Sequence, residues 1–540
     1  MKHPHISLLL LFAFILVSCD DFFDTTSSYV STEDNNSLTS AADTVYSVIG
    51  ILSKVQTIAD RSVLFGDLRS DLVDENAYTE SNLRELIRND VSATNSYVDY
   101  RDYYAVINNC NYFLSHADTT VLVAGQKVFL KEMAVVKAVR AWTYLQLVLN
   151  YGEVPFYTQP ILNVSDAMND YDMADLATIC DYFITDLKPF IDTPLPSYGD
   201  IYSLPSIKFF FPVRLVLGDL YLWSQQYREA ADCYGTYLAK NSLPTGVVST
   251  RVSGINVNDE VTSFNSTWIS SFVSPSSSEV ITLIPMAETK LEGVKSNLPN
   301  VFSSTEENDM HYQVSPSQYI ADLALSQDYA YSVNARTLKH LTCGDMRFYS
   351  IYPERFVSAN EATGKHSALD DDDDLLTNQK FQSGHVSVYR TATIYLRLAE
   401  CLNRLDDCET AFSILKDGGE MTEMRGTLHF EATTTDEDLY RGIHSHGCGE
   451  AFRNTAYALP ELPTRSDTLL YVEDLIIDEM ALETSYEGTR FYDLMRVAQR
   501  RSDPTYLATR VASRKGLTTS PDATLLSRLS NPSNWYLPHD

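Results

Sequence analysis

The sequence predicts a mainly α-helical protein that carries an irregular, loop-rich sub-domain with short strands. Three observations lead to this prediction. Apolar residues recur at three- and four-residue spacing over long stretches, and two of these stretches carry small residues at the same offset. Between them, the chain from roughly 242 to 385 is rich in Ser, Thr, Val and Asn. We therefore expect helical hairpins that pack against a loop-rich insert.

The N-terminus predicts a lipoprotein signal peptide. Leu8–Val17 is an apolar run of ten residues, and a membrane-spanning helix needs about 20. Leu16-Val17-Ser18-Cys19 resembles a bacterial lipobox, so we expect cleavage before Cys19 and lipid attachment to its thiol. Residues 1–18 are then the signal peptide and 19–40 an acidic, polar tether. An ordinary secretory signal with a chance cysteine is the alternative.

Residues 41–540 are the predicted folded domain, and helical periodicity dominates it outside the loop-rich insert. The predicted scaffold helices lie near 129–150, 207–240, 391–416 and 472–500. Gly218 and Ala230 lie twelve residues apart, and Ala399 and Ala411 repeat that offset. A small residue on each helix of a tetratricopeptide repeat lets the two backbones approach, so this offset predicts such repeats. Generic helical hairpins are the alternative.

The composition excludes several classes of function. The 540 residues include 41 Lys and Arg against 72 Asp and Glu, for a formal net charge of −31. A nucleic-acid binder needs a basic surface, and so does a protein that adsorbs to anionic lipid. We therefore expect no nucleic-acid partner. The cysteines other than Cys19 do not recur at close, regular spacing, so the chain is not a disulfide scaffold.

Sequence motifs of catalysis are absent. The sequence contains no G-x-S-x-G, H-E-x-x-H, Walker A, G-x-G-x-x-G or C-x-x-C motif. His444-x-His446-x-Cys448 is the most metal-like cluster, but it lacks an obvious fourth ligand. The acidic run Asp370–Asp374 has no interleaved Gly, unlike a Ca²⁺ loop, and predicts a solvated loop. We expect no catalytic residue, no cofactor and no metal.

Aromatic residues with polar neighbours are the candidates for ligand binding. Sugar rings present apolar C–H faces that stack on Tyr and Trp, while Asn, Asp and Arg hydrogen-bond the hydroxyl groups. Segments rich in these residues lie at 74–101, 264–268 and 308–319. The candidate ligand residues are Asn76, Tyr78, Arg84, Asn95, Tyr97, Arg101, Trp268 and Tyr312. The alternative for each aromatic residue is a role in helix packing.

A block near the C-terminus follows a known family pattern. Its residues are Glu479, Glu483, Glu487-Gly488, Arg490-Phe491, Asp493-Leu494 and Arg496. They resemble the E-x-x-x-E-x-x-x-E-G-x-R-W-x-D-L-x-R pattern of the SusD/RagB family, with Phe491 where Trp is usual. Tyr151-Gly152-Glu153-Val154-Pro155 and Tyr536-Leu537-Pro538 resemble further elements of the same family.

The spacing within this block indicates a scaffold. Glu479, Glu483 and Glu487 are four residues apart, so they share one helix face, where we expect them to pair with Arg490 or with arginines of neighbouring helices. Gly488 suits a close backbone approach or a helix end.

The resemblance implies about four tetratricopeptide-like units and a specific role. Members of the family are non-enzymatic, surface-exposed lipoproteins of the Bacteroidetes outer membrane. They bind oligosaccharide or glycan and pass it to a SusC-type TonB-dependent transporter barrel, their partner. RagB-like members take peptides instead, and a surface-anchored hydrolase is a further alternative. The acidic residues after Cys19 resemble the family's surface-export signal. Its ligand residues lie in variable loops, so none is transferred here.

Overall fold

The computed structural model describes most of the predicted folded domain. It covers residues 41–539 except 118–121, 124–125, 128, 202, 242, 244–247, 275–276, 335–336, 357–374, 417, 421–438 and 441. The predicted signal peptide, the tether with Cys19 and the run Asp370–Asp374 lie outside these residues. The mainly helical fold class is confirmed.

Nineteen α-helices lie in the described residues. They are α1 (Ala41–Asp67), α2 (Ser81–Ile87), α3 (Arg101–His116), α4 (Leu130–Tyr151), α5 (Val164–Ala167), α6 (Leu176–Leu187), α7 (Val213–Trp223), α8 (Tyr227–Lys240), α9 (Thr267–Val273), α10 (Leu298–Phe302), α11 (Gln318–Leu325), α12 (Met346–Ile351), α13 (Thr391–Arg404), α14 (Cys408–Leu415), α15 (Ser445–Cys448), α16 (Arg465–Glu483), α17 (Arg490–Arg501), α18 (Pro504–Ala512) and α19 (Ala523–Leu529). None of these described helices combines the length and apolarity needed to span a bilayer.

The strands are short, and every described pairing is antiparallel. They are β1 (Val73–Glu75), β2 (Leu122–Val123), β3 (Gln126–Lys127), β4 (Val154–Pro155), β5 (Met173–Ala174), β6 (Asp200–Ile201), β7 (Leu204–Pro205), β8 (Thr250–Ile255), β9 (Val261–Ser266), β10 (Val280–Ile284), β11 (Val314–Pro316), β12 (Tyr329–Asn334), β13 (Thr337–His340), β14 (Val386–Arg390), β15 (Gly419–Glu420), β16 (Leu439–Tyr440) and β17 (Arg453–Asn454). The longer ones form the β8–β9 hairpin, the β10–β14 pair and the β13-β12-β17 sheet.

The helical hairpins have the close contacts that the small residues predict. A Cβ on Gly218 of α7 would lie 2.5 Å from the Tyr234 ring of α8, so only glycine lets this ring pack against α7. Ala230 on α8 is fully buried, and Ala399 and Ala411 are fully buried in the α13–α14 pair. Both pairs contribute to one continuous apolar core, so the repeated offset marks two places where helices meet closely.

The stretch predicted as helical near 472–500 contains two helices. Helix α16 begins at Arg465, where the Thr464 side chain and Asp467 form a reciprocal capping box. It ends at Glu483, and α17 starts at Arg490. Between them, Tyr486 and Gly488 have φ angles of 65° and 81°. Left-handed conformations interrupt a right-handed helix, which is why periodicity across the break does not give one element.

The glutamates of the C-terminal block form buried ion pairs. Arg347 Nη1 lies 2.6 Å from Glu479 Oε1 and 2.8 Å from Glu483 Oε2. Arg390 reaches Glu483 at 3.0 Å and Glu487 at 2.7 Å. These arginines belong to α12 and β14, as pairing with neighbouring elements predicts. The alternative partner Arg490 instead pairs with Asp71 at 2.7 Å.

The end of α1 packs directly on the turn between α16 and α17. A Cβ on Gly66 would lie 1.8 Å from the carbonyl oxygen of Gly488, and one on Gly488 would lie 2.0 Å from that of Ser62. The Gly488 amide donates to Asp67 Oδ2 at 2.8 Å. Two glycines therefore let the N-terminal helix and the C-terminal block meet backbone to backbone.

Candidate functional site

Pairing of β1 with β11 brings two of the predicted binding segments together. Asp74 lies opposite Ser315 and Glu75 opposite Val314. The residues after β1 therefore emerge beside those that precede β11, although more than two hundred residues separate them in the chain. We call the surface formed by Asn76, Tyr78, His311 and Tyr312 the Tyr78 platform.

Tyr78 lies at the centre of this platform with 54% of its surface exposed. Its ring stacks on the imidazole of His311, with the ring centroids 3.8 Å apart and the planes 9° from parallel. The Asn76 side chain holds the turn on both sides, because it donates to the Tyr312 carbonyl at 3.0 Å and accepts from the Tyr78 amide at 2.8 Å. The stack is thus held in position while about half of Tyr78 remains accessible.

A strained turn presents His311. The two preceding residues, Asp309 and Met310, have φ angles of 54° and 67°. Residues other than glycine rarely adopt this left-handed region, and consecutive cases cost free energy that other contacts must offset. The side chain of Asn308 ties the turn down by donating to the carbonyls of Asn300 and Ser303 at 2.7 and 2.9 Å.

Two further predicted residues, Tyr97 and Arg84, border the platform. The Tyr97 hydroxyl donates to Glu80 Oε1 at 3.2 Å, and burial with that neighbouring carboxylate raises the pKa of Tyr97. Arg84 donates to the Thr79 carbonyl at 2.8 Å and pairs with Glu75 at 3.1 Å. Both side chains support the turn that carries Tyr78, and Arg84 keeps a half-buried guanidinium at its edge.

Asn95 and Arg101 lie instead around a neighbouring groove of about 360 Å³ that Tyr100 and His539 also line. Asn95 is buried and donates to the Asn82 carbonyl and to a Glu85 carboxylate oxygen, each at 2.9 Å. Arg101 is largely exposed and binds Asp99. Asn95 thus holds its own loop in place, whereas the Arg101 guanidinium is accessible.

Trp268 is not part of either surface. It is fully buried on α9, and its indole N–H donates to Glu483 Oε1 at 2.8 Å. The Lys380 ammonium lies 4.6 Å from its ring centre. Because no part of the ring is accessible, we withdraw Trp268 as a ligand residue and assign it to the buried charge network.

The His444–Cys448 motif also belongs to the scaffold. It lies on and beside α15, where His446 Nδ1 contacts Glu483 Oε2 at 3.1 Å. Within the part of the chain that the structure describes, no group of three or more His, Cys, Asp or Glu side chains is placed to hold a metal ion.

The platform therefore offers binding chemistry. An accessible aromatic ring, a second ring behind it and a polar turn are the features that stack and orient a sugar ring. Composition alone marks the segment 308–319 with His311 in it, but it does not predict that His311 stacks on Tyr78, because this contact depends on the β1–β11 pairing. A stacked pair between segments so distant in the chain leaves no local signal in the sequence.

Comparison with known proteins supports a single family. Residues 326–538 match the model of the SusD family. SusD-like protein P25 of Formosa agariphila is 27% identical over 211 residues, which make up 35% of this chain and 37% of that protein. The match thus spans well under half of the relative's length.

Solved structures share the fold over most of the chain. A SusD superfamily protein of Bacteroides thetaiotaomicron is 14% identical with a TM-score of 0.55, over 85% of this chain and 89% of that one. A SusD homologue of the same species is 15% identical with a TM-score of 0.55, over 92% and 94%. A SusD-like carbohydrate binding protein of Bacteroides vulgatus is 17% identical with a TM-score of 0.52, over 85% and 83%. The family model, the relative and the shared fold agree, and residues 326–538 are the part of this chain that matches the SusD family.

Proposed function

We propose that this protein is a non-enzymatic, surface-exposed lipoprotein that binds oligosaccharide at the Tyr78 platform. It then passes the oligosaccharide to a SusC-type TonB-dependent transporter. The single observation that carries the proposal is the half-exposed Tyr78 ring stacked on His311. The match of residues 326–538 to the SusD family model supports it, as does the fold shared with a SusD-like carbohydrate binding protein of Bacteroides vulgatus.

The chemistry of the platform suits a sugar ring. The apolar C–H face of a pyranose or furanose can lie on Tyr78, while the imidazole of His311 and the edge guanidinium of Arg84 can reach its hydroxyl groups. Stacking of this kind contributes about 0.5–1.5 kcal/mol beyond the burial of area. Affinity for a short oligosaccharide should therefore be modest, which suits a protein that must release its cargo to a transporter.

Calorimetry tests this proposal. The purified mature protein is titrated with neutral hexasaccharides and, separately, with basic peptides of similar length. Heat of binding with a hexasaccharide, reduced in Tyr78→Ala, supports the proposal. Saturable binding of the peptides alone favours the RagB-like alternative. Hydrolysis of any hexasaccharide by the wild-type protein, abolished when a carboxylate is replaced, contradicts the non-enzymatic part and favours a hydrolase.

The proposed transporter contact falls on the segment 162–173. Leu162, Val164, Met168 and Met173 are exposed by 47%, 76%, 79% and 49%. Apolar groups exposed together mark protein contact surfaces. The surrounding stretch 152–186 contains several acids and no Lys or Arg. A partner surface that complements this segment is therefore apolar with a basic rim. We assign the segment 162–173 as the contact with the transporter.

The proposed location is the cell surface, through lipid on Cys19. The expected result for Cys19→Ala is release of the protein from the outer-membrane fraction. Full retention of this variant in washed membranes contradicts the lipid anchor without affecting the binding proposal.

A further inference from the structure

A second recess lies apart from the Tyr78 platform. It is a cleft of about 1200 Å³ between the ends of α4 and α7, the start of α6 and the C-terminal segment. It shares no lining residue with the platform. Pro538 and His539 line both this cleft and the smaller groove at Arg101. A cleft of this size is large enough for several sugar rings.

Aromatic side chains form part of the cleft wall. Trp223, at the end of α7, is half-buried. The Tyr536 ring lies against the backbone of Gly152, where a Cβ would come within 3.1 Å of it. The φ angle of Gly152 is +80°, which glycine adopts more readily than other residues. The position therefore favours glycine both for its backbone conformation and for the contact with the Tyr536 ring. The cleft therefore presents rings held at fixed positions.

The wall also contains two buried side chains that each have one polar atom without a hydrogen-bond partner among the described residues. Arg69 is 1% exposed. Its Nη2 donates to the Trp535 carbonyl and its guanidinium lies 4.1 Å from the Phe491 ring centre, but its Nη1 has no hydrogen-bond partner among the described residues. Asn89 is 7% exposed and donates to the Arg69 carbonyl at 3.0 Å, while its Oδ1 likewise lacks a described partner.

The partners of Arg69 differ from those of four other buried arginines. Arg347, Arg390 and Arg490 each bind carboxylates, and Arg514 donates to three backbone carbonyls. Within the described residues, Arg69 has no carboxylate within ion-pair distance. Burial lowers the pKa of Arg69 to about 10, so it stays protonated at pH 7. A charged donor left unpaired in a wall is costly unless a ligand or water satisfies it.

The unpaired atoms of Arg69 and Asn89 favour one class of ligand over another. A hydroxyl group both donates and accepts, so hydroxyl groups can pair with Arg69 Nη1 and Asn89 Oδ1 alike, once a side-chain movement uncovers these two atoms, which neighbouring protein atoms cover. A carboxylate only accepts, and it would leave Asn89 Oδ1 unsatisfied. Exposed acids, Glu153, Asp175 and Asp181, line the cleft and disfavour an anion further. We propose that this cleft is a second carbohydrate-binding site, which takes a neutral oligosaccharide.

Two glutamines at the cleft allow the site to be tested without disturbing the core. Gln226 and Gln499 both line it; the first is half-buried, the second is exposed, and neither makes a described side-chain hydrogen bond. Their amides can donate to and accept from sugar hydroxyls. The double variant Gln226→Ala/Gln499→Ala removes these groups and leaves Arg69 and the aromatic contacts in place.

Tryptophan emission reports on the cleft. Trp142, Trp268 and Trp535 are buried, whereas Trp223 is half-buried in the cleft wall. The mature protein is titrated with cellohexaose, maltohexaose, xylohexaose and mannohexaose, and with hexagalacturonate as the anionic probe. The expected result is that at least one neutral hexasaccharide changes the emission. The change disappears in Trp223→Phe, and its midpoint rises at least fivefold in the Gln226→Ala/Gln499→Ala variant.

The matched control is Tyr78→Ala, which leaves this midpoint unchanged. If none of the probes changes the Trp223 emission, the proposal of a second site is overturned. It is also overturned if the midpoint of the emission change shifts in Tyr78→Ala but not in the Gln226→Ala/Gln499→Ala variant. Neither result affects the proposal for the platform. If Trp223 emission responds, but Tyr78→Ala binds the hexasaccharide in calorimetry with the same affinity as the wild-type protein, the platform proposal is overturned and the proposal for the cleft is supported. If hexagalacturonate binds the cleft more tightly than every neutral hexasaccharide, the assignment to a neutral ligand is overturned.

Discussion

Tyr78 is half-exposed although it lies in a turn fixed by hydrogen bonds from Asn76 and Thr79. A ring held in this way loses little conformational freedom when a sugar stacks on it. The stack on His311 supports the ring from behind and adds a group that can donate or accept a hydrogen bond.

Replacement of this ring should weaken binding without affecting the fold. Tyr78→Ala removes about 0.5–1.5 kcal/mol of stacking, so we expect roughly a 2- to 12-fold rise in Kd for the bound hexasaccharide by calorimetry. Tyr182→Ala is the control, because Tyr182 is also exposed and lies on α6 rather than on the platform. An equal effect of both variants contradicts a specific role for Tyr78.

Asp67 should make stability depend on pH. Burial raises the pKa of Asp67 from 3.8 to about 8, although the hydrogen bond from the Gly488 amide acts to lower this pKa. The folded state therefore holds a proton that the unfolded state releases, and stability falls as pH rises from about 4 to about 8. An asparagine side chain cannot titrate, so we expect Asp67→Asn to flatten this slope, measured as the urea midpoint at pH 5 and pH 8. An unchanged slope contradicts the raised pKa.

Residue type alone predicted part of the platform. Tyr78, Asn76 and Tyr312 could be listed because their side chains suit sugars, and the structure places them together. The same criterion selected Trp268, which is buried. A composition-based criterion cannot distinguish an accessible ring from one covered by α9 and the C-terminal block, because that depends on packing between distant segments.

At the scale of elements, Gly488 decides whether α1 can close onto the C-terminal block. A Cβ there would lie 2.0 Å from the Ser62 carbonyl oxygen, and its φ is +81°. We expect Gly488→Ala to lower the free energy of unfolding by about 3 kcal/mol or more, from overpacking plus backbone strain. Gly50→Ala is the control in urea unfolding: no atom lies within 4 Å of its Cβ position, and a helical Gly to Ala change should add about 0.5–1 kcal/mol.

The segment that includes α5 should decide partner binding. Val164→Asp/Met168→Asp places two charges on the exposed apolar surface that we assign to the transporter. We expect loss of co-purification with the barrel and unchanged hexasaccharide binding. Leu291→Asp is the control, since Leu291 is 99% exposed and lies outside this segment. Co-purification that survives the double change contradicts the assignment of the contact surface.

Helix positions were largely predictable from apolar periodicity, and their ends less so. The stretch 129–150 corresponds closely to α4 (Leu130–Tyr151). The stretch 472–500 contains a break, because a turn that holds Tyr486 and Gly488 separates two helices. Gly488 suits a helix end by its residue type, and the left-handed backbone there shows that the first helix ends before it.

At the scale of the whole molecule, a buried charge network joins residues that lie far apart in the chain. Arg390 binds Glu279, Glu483 and Glu487, and all four side chains are almost completely buried. Because a guanidinium without partners, or carboxylates without a guanidinium, is costly in a core, these groups depend on one another.

Removal of one member should destabilise the protein strongly. We expect Arg390→Met to lower the free energy of unfolding by about 3–5 kcal/mol, since three buried carboxylates lose a partner. Arg465→Met is the comparison, because its pairs with Asp406 and Glu409 are exposed and such pairs contribute about 0–1 kcal/mol. If both variants lose similar amounts of unfolding free energy, the conclusion that buried ion pairs contribute more than exposed ones is contradicted.

The sequence motifs allowed the family and the helical architecture to be predicted, but not the binding surfaces. The matched glutamates, Gly488 and Arg490 lie in the scaffold, where spacing along one helix is visible in the chain. The platform and the cleft form where segments from distant parts of the sequence come into contact, and such contacts leave no periodic pattern in the sequence.

The contact of Gly66 with Gly488 has a consequence for the order of folding. Three more links join the same regions: Asp67 with the Gly488 amide, Asp71 with Arg490, and Arg69 with the Trp535 carbonyl. The first long helix in the described part of the chain therefore completes its packing with the last tenth of the chain. A growing polypeptide cannot complete these contacts until its C-terminal residues have been synthesised.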